Sequence, residues 1–144
     1  MIVAAILRQK GSNLVETIVP TACIADAAAV LSSRRIGALI CSVDGKTIAG
    51  MISERDIIRV LGKEGPACLS RPVSEIMTAD VKTCSVDDTT ESLLQRMTEG
   101  RFRHLPVVTD GKIAGLISIG DAVKARIDDL EHETSALAGM IKGY

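Results

Sequence analysis

Two short stretches place a hydroxyl and a carboxylate three residues apart in the same setting. Gly50-Met51-Ile52-Ser53-Glu54-Arg55-Asp56-Ile57-Ile58 and Gly115-Leu116-Ile117-Ser118-Ile119-Gly120-Asp121-Ala122-Val123 share one pattern: glycine, two apolar residues, serine, two variable residues, aspartate, two apolar residues. The apolar pair after glycine is strand-like, and serine is a good N-cap for a helix that follows it. Aspartate at the third helical position meets the positive end of the helix dipole. The plain reading of Ser-x-x-Asp is a capping box. The same geometry also sets a hydroxyl, a carboxylate and backbone amides at one exposed helix start, where they suit a ribose diol and its phosphate. Two copies in related contexts favour a site. A second set of candidates is basic: Arg101, Arg103 and His104 cluster in a near-neutral chain, and Arg55 lies inside the first motif. Successive strand residues point to opposite faces, so Arg103 and His104 can face the same way only if the strand has not yet begun. His104 is also of the type that makes phosphate affinity rise as pH falls. The alternative for this basic cluster is a solvated strand entrance.

The elements that must carry these residues follow from periodicity and turn signals. Ile2–Gln9 reads as a short amphipathic helix stopped by Lys10-Gly11-Ser12-Asn13, and Thr17-Ile18-Val19-Pro20 as a brief extended piece. Ile24–Arg35 reads as a helix with Ala27, Val30 and Leu31 on its apolar face. Ala38–Val43 and Thr47–Ile52 read as strands around a tight Asp44-Gly45 turn, and Ser53 caps a helix to about Leu61. Gly62–Pro72 has the Gly-Pro and Arg-Pro punctuation of a linker. After it Val81-Lys82-Thr83 is extended, and Thr89 caps a helix with Leu93, Leu94 and Met97 inward. Leu105–Val108 and Lys112–Ile117 read as strands around Asp110-Gly111, and Ser118 caps the last helix.

This order is a duplication. Val15 pairs with Val81, Leu39 with Leu105 and Asp44-Gly45-Lys46 with Asp110-Gly111-Lys112, each 66 residues apart. Thr47 is one extra residue, after which Gly50, Ser53 and Asp56 pair with Gly115, Ser118 and Asp121 at 65. One unit is too small to close its own core. The expectation is an α/β chain of the α+β type: two β-α-β-β-α repeats packed sheet to sheet with pseudo-twofold symmetry, plus N- and C-terminal helices. Residues 1–144 form a single module, with repeat one at about 14–62, a linker at about 63–77 and repeat two at about 78–127. A C-terminal helix runs over about 121–139, carrying Val123, Ile127, Leu130, Leu137 and Met140 among charged residues. A projecting amphipathic helix usually has a partner, here a second copy or the Ile2–Leu7 helix, and homodimerisation is expected.

Composition narrows the class. Lys+Arg is 17 against Asp+Glu 18, so no global field draws nucleic acid or an anionic membrane. Phe102 and Tyr144 are the only aromatic residues, which removes the stacking platform of single-strand binders. No apolar run is long enough to span a bilayer, and Met1–Leu7 lacks the basic start of a signal peptide. Cys23, Cys41, Cys68 and Cys84 have neither C-x-x-C spacing nor His partners at metal-site spacing, which fits reduced thiols in a cytoplasmic protein.

The chain resembles the stand-alone tandem CBS-domain proteins from about residue 14 to 127. The resemblance rests on the two Gly-x-Ile-Ser-x-x-Asp copies, on Arg101-Phe102-Arg103-His104-Leu105-Pro106-Val107-Val108, and on Val73-Ser74-Glu75-Ile76-Met77-Thr78. It implies a regulatory module with clefts between the repeats that bind adenosyl ligands such as AMP, ADP, ATP, NAD(H) or S-adenosylmethionine, AMP first among them, and that often dimerises into a flat disk. By the same resemblance, Asp56 and Asp121 accept from the ribose hydroxyls, and Ser53 and Ser118 touch ribose or phosphate. Thr17 and Thr83 line the adenine pocket, and Arg103 and His104 face phosphates. The sequence departs from symmetry. Ile36-Gly37-Ala38 stands where repeat two has Phe102-Arg103-His104, Pro20 matches Val86, and Cys23 replaces the Thr89 cap, so the two clefts are unequal.

An enzyme is disfavoured: there is no nucleophile-and-base constellation, no metal spacing and no Gly-rich Lys loop. The competing reading is a structural or adaptor homodimer with empty clefts that regulates an unidentified partner protein through its C-terminal helix.

Overall fold

The structure, a computed structural model, describes residues 1–11 and 15–141, the side chains of 140 and 141 excepted. Ser12 and Asn13 of the expected helix stop, and the side chain of Met140, lie outside this set. In chain order the elements are α1 (Val3–Lys10), β1 (Thr17–Ile18), α2 (Ile24–Arg34), β2 (Ala38–Cys41), β3 (Gly50–Ser53), α3 (Glu54–Glu64), α4 (Thr90–Gly100), β4 (His104–Thr109), β5 (Lys112–Ser118) and α5 (Ile119–Ile141). The fold is mixed α/β with one three-stranded sheet, β1-β2-β3, and one two-stranded sheet, β4-β5. Two compact units emerge: the described residues of 14–82 with 109–114, and those of 1–13, 83–108 and 115–144.

In the first unit, β1 runs parallel to β2 (Thr17↔Ile40, Ile18↔Cys41), and β2 pairs antiparallel with β3 from Ala38↔Ser53 to Cys41↔Gly50. Ile24, Ala27, Leu31, Leu39, Cys41, Ile52, Ile57 and Val73 form its core. The stretch read as a linker is structured. Helix α3 continues through Gly62 to Glu64, and 3-10 turns follow at Pro66–Ser70 and Val73–Glu75, with Cys68 and Val73 buried. This segment folds back on repeat one. Ile24 N donates to Arg71 O at 2.9 Å, Val73 N to Ala22 O at 2.7 Å and Ser74 N to Pro20 O at 3.0 Å.

The second unit repeats the arrangement with α1 in place of that segment. Thr90 N donates to Met1 O at 3.0 Å, Val3 N to Asp88 O at 2.9 Å and Ala4 N to Val86 O at 3.0 Å. Residues 1–4 therefore stand to 86–90 as residues 71–74 stand to 20–24. Helix α5 packs on α4 and on α1, with Ala122 and Ala125 buried and Arg126 paired to Glu91 on α4. Thr89 caps α4 by accepting from Ser92 N, whereas Cys23 makes no side-chain cap for α2.

Three strand expectations are corrected. The extended piece Val81–Thr83 forms no strand of its own; the pairing with β4 is an isolated parallel bridge one residue further on, Cys84↔Val107. Strand β2 ends at Cys41, and β3 starts at Gly50 rather than Thr47. The cause is Asp44, whose Oδ1 accepts from Lys46 N and Thr47 N, both at 2.8 Å, and from Thr47 Oγ1 at 3.1 Å, gathering the chain into a loop. In the second copy Asp110 (φ 52°) and Gly111 (φ 75°) both take the left-handed conformation that a two-residue hairpin turn requires; in the first, Gly45 alone does (φ 74°).

Candidate functional site

Both serine-aspartate pairs form. At the start of α3, Ser53 Oγ accepts from Asp56 N at 3.2 Å, and Asp56 Oδ2 accepts from Ser53 N at 2.9 Å and Ser53 Oγ at 3.0 Å. Asp56 Oδ1 meets Arg59 at 3.5 Å. At the start of α5, Ser118 Oγ accepts from Asp121 N at 3.1 Å, and Asp121 Oδ2 accepts from Ser118 N at 2.9 Å. The capping reading is therefore correct for both copies, a cap of this kind being worth about 1 kcal/mol. The two carboxylates remain only half-buried, at side-chain exposures of 17% and 25%.

Backbone bonds narrow what each helix start can offer an anion. Glu54 N donates to Gly37 O at 2.9 Å, and Ile119 N to Arg103 O at 2.7 Å. With the third amide taken by serine, fewer amides are left for a phosphate than the sequence implies. The second of these bonds has its own consequence. It ties the backbone of Arg103 to the first residue of α5, beside Ser118 and Asp121. Strand β4 begins at His104, so Arg103 lies in the bend before it, exposed, while His104 is half-buried.

The remaining candidates divide between the units. Thr17, half-buried on β1, lies in the unit that holds Ser53, Asp56 and the exposed Arg55. Thr83, also half-buried, lies with Arg103, His104, Ser118 and Asp121. Its carbonyl accepts from Arg96 Nη2, and Arg96 Nη1 pairs with Asp88 at 3.4 Å. Arg96 was not foreseen as a neighbour of Thr83.

Charge near the two aspartates differs. Lys10 Nζ donates to Asp121 Oδ2 at 2.8 Å and to Leu116 O at 2.9 Å. Burial works to raise the Asp121 carboxyl, but the bonds from Lys10 and Ser118 outweigh it and hold the group below the ordinary carboxylate value. Burial, with a smaller contribution from the Asp56 charge, pushes the Cys41 thiol up to about 11, and burial likewise raises Cys84 to about 11. Both are protonated at neutral pH and behave as small apolar residues. Among the described residues no cluster of three His, Cys, Asp or Glu side chains could hold a metal ion, and no helix is long and apolar enough to cross a membrane.

Comparison with known proteins agrees with the duplication. The family model of the CBS domain matches twice, at residues 15–63 and 73–128. Over 122 residues the chain is 35% identical to a mitochondrial CBS domain-containing protein, CBSX3, of Arabidopsis thaliana, covering 82% of this chain but 59% of that relative's length. A crystal structure of a CBS-domain containing protein from Agrobacterium tumefaciens is 41% identical with a TM-score of 0.84, covering 88% of this chain and 99% of that one. A CBS domain protein from Pyrobaculum aerophilum, solved in complex with AMP, is 25% identical with a TM-score of 0.74, covering 84% and 89%. Two matched segments, two capping boxes at equivalent helix starts and a shared fold lead to one conclusion: the chain is a tandem pair belonging to the CBS-domain family.

Proposed function

We propose that this chain is a non-catalytic regulatory module that binds an adenosyl ligand, with AMP the first candidate and ADP, ATP, NAD(H) or S-adenosylmethionine as others. The observation that carries the reading is the duplicated serine-aspartate pair, each with a half-buried carboxylate at a helix start that retains acceptor capacity beyond its cap. The AMP complex of the Pyrobaculum relative supports it. Asp56 and Asp121 accept from ribose hydroxyls, Ser53 and Ser118 offer hydroxyls beside them, and Thr17 and Thr83 contact the base. Arg55, Arg103 and His104 supply cationic or donor groups to phosphate. Binding shifts a conformational equilibrium by its differential affinity for the two states.

Titration calorimetry with AMP tests this on the wild type and on Asp56→Asn, which keeps a capping acceptor but loses the charge. Loss of charge-assisted bonds to a diol costs on the order of 1.5–3 kcal/mol, so affinity falls roughly ten- to a hundredfold. Binding unchanged in both Asp56→Asn and Asp121→Asn would remove the assigned role.

A second reading concerns assembly, and one observation favours it. Val123, Ile127, Leu130 and Leu137 on α5 are 43%, 50%, 44% and 59% exposed. They form one stripe on the side of α5 away from its buried alanines, and a second copy of the chain covers it.

A further inference from the structure

Asp56 and Asp121 close the same capping box, but the cations they meet come from different places. Arg59 approaches Asp56 from one turn further along α3, at 3.5 Å, and is 71% exposed. Asp121 instead receives Lys10 from the far end of the chain, and the same ammonium also binds the Leu116 carbonyl of β5. The placement of Lys10 is fixed by the rest of α1. Val3, Ile6 and Leu7 are buried, and the amides of Val3 and Ala4 are bonded to the backbone before α4. The N-terminal ammonium holds Asp129 at 2.7 Å. Leu7 lies so close over Gly115 that a Cβ there would stand 2.6 Å from its Cδ2. Lys10, three residues after Leu7, then falls on the same face of the helix, over the start of α5. The corresponding segment of the other unit ends its helical turn at Glu75 and pairs Thr78 with Met51, so it brings no lysine to Asp56.

We infer that Lys10 is an internal competitor for Asp121, an ammonium seated on the carboxylate that would hold a ribose diol, so that repeat two binds a neutral nucleoside more weakly than repeat one. This rests on the reading of the two aspartates as ribose acceptors. A carboxylate oxygen has about two lone-pair sites, and on Asp121 Oδ2 the Ser118 amide and Lys10 fill both, which leaves only Oδ1 to a diol that offers two hydroxyls. On Asp56 Oδ2 the second site holds the Ser53 hydroxyl proton, which can turn toward a ligand. Charge compounds the difference, because the lysine neutralises Asp121 as an acceptor.

The probe is adenosine, which has the diol but no phosphate to attract Lys10, and binding is followed by NMR titration to millimolar concentration at low salt. Asp56→Asn isolates repeat two. In that background Lys10→Met, which keeps the stem and removes the ammonium, is expected to tighten adenosine binding about three- to fivefold, the scale of a half-exposed ion pair. In an Asp121→Asn background the same substitution changes nothing, and at high salt the gain shrinks as the pair is screened. No gain in the Asp56→Asn background, or weaker binding with Lys10→Met, overturns the competitor while leaving the function intact if Asp56→Asn itself lowers affinity for AMP. If neither aspartate substitution affects binding of adenosine or AMP, or neither compound binds the wild type, the ribose-acceptor reading falls and the competitor falls with it.

Discussion

Asp121 is stabilising only while it is ionised. Its carboxyl sits below the ordinary value of 3.8: burial opposes this, and Lys10 and Ser118 more than compensate. A group depressed on folding stabilises the native state above its unfolded value and loses that contribution as pH falls through the folded value. Lys10→Met removes the strongest of the lowering contacts, so the variant should melt below the wild type near pH 7. The pair is half-exposed and worth roughly 1 kcal/mol or less, which is about 1–3 °C for a domain of this size. The gap should close as pH drops below about 3.8, the ordinary value. Calorimetric melts between pH 2.5 and 7 check this. A gap that stays constant across the range would mean that the lysine stem, not its charge, makes the contribution. The serine-aspartate half of this arrangement was legible in the sequence because both partners lie within one helical turn. Lys10 was not, since 111 residues separate it from Asp121 and nothing in a local pattern ties a helix-terminal lysine to a distant cap. The Arg96 contact to the Thr83 carbonyl was hidden for the same reason.

Helices read more reliably than strands here, for a physical reason. The caps Ser53 and Thr89 and the apolar spacing of α2 and α4 act over a few residues, so sequence specifies them. Strand ends depend on which backbone groups find partners, and Asp44 withdraws Lys46 and Thr47 from the ladder while Asp110 does not. The single extra residue, Thr47, was visible as a gap in the repeat, but not its effect in turning a tight hairpin into a loop. Strand β3 also has a steric demand that its counterpart lacks. A Cβ on Gly50 would stand 2.8 Å from the Thr78 carbonyl oxygen and 2.5 Å from Met77 Sδ, while the three atoms nearest to one on Gly115 all belong to the Leu7 side chain. Leu7 can change rotamer, but the Thr78 carbonyl is fixed by the paired bonds of Met51 and Thr78 at 2.9 and 2.8 Å. Gly50→Ala is therefore expected to cost about 1–3 kcal/mol and Gly115→Ala distinctly less, as measured by urea unfolding. Equal losses, or a larger loss at Gly115, would show that the Thr78 carbonyl yields as easily as a side chain.

Each unit completes itself with a segment from outside its own repeat: Val73–Met77 serves repeat one, and α1 serves repeat two. Once α1 and α4 have covered one side of α5, the other side keeps its apolar residues in contact with water. Val123, Ile127, Leu130 and Leu137 recur at intervals of four, three and seven, with Thr134 filling the step between the last two, and this is the spacing of a coiled-coil seam. Arg126 and Asp129, by contrast, turn inward to Glu91 and to the N-terminal ammonium. The amphipathic pattern was readable from sequence, but which face the chain itself would cover was not, because that depends on where α1 lands. If a second copy covers the seam, dimerisation is linked to folding by mass action and the melting temperature rises with protein concentration. Ile127→Glu places a charge in the middle of the stripe at a half-exposed position, where it can be solvated in the monomer. It should leave the monomer folded, shift the mass measured by light scattering from dimer to monomer, and abolish the concentration dependence of the melt. A wild type that stays monomeric at high micromolar concentration, or a dimer indifferent to Ile127→Glu, would show that α5 does not pair with itself and would leave the stripe to a different protein.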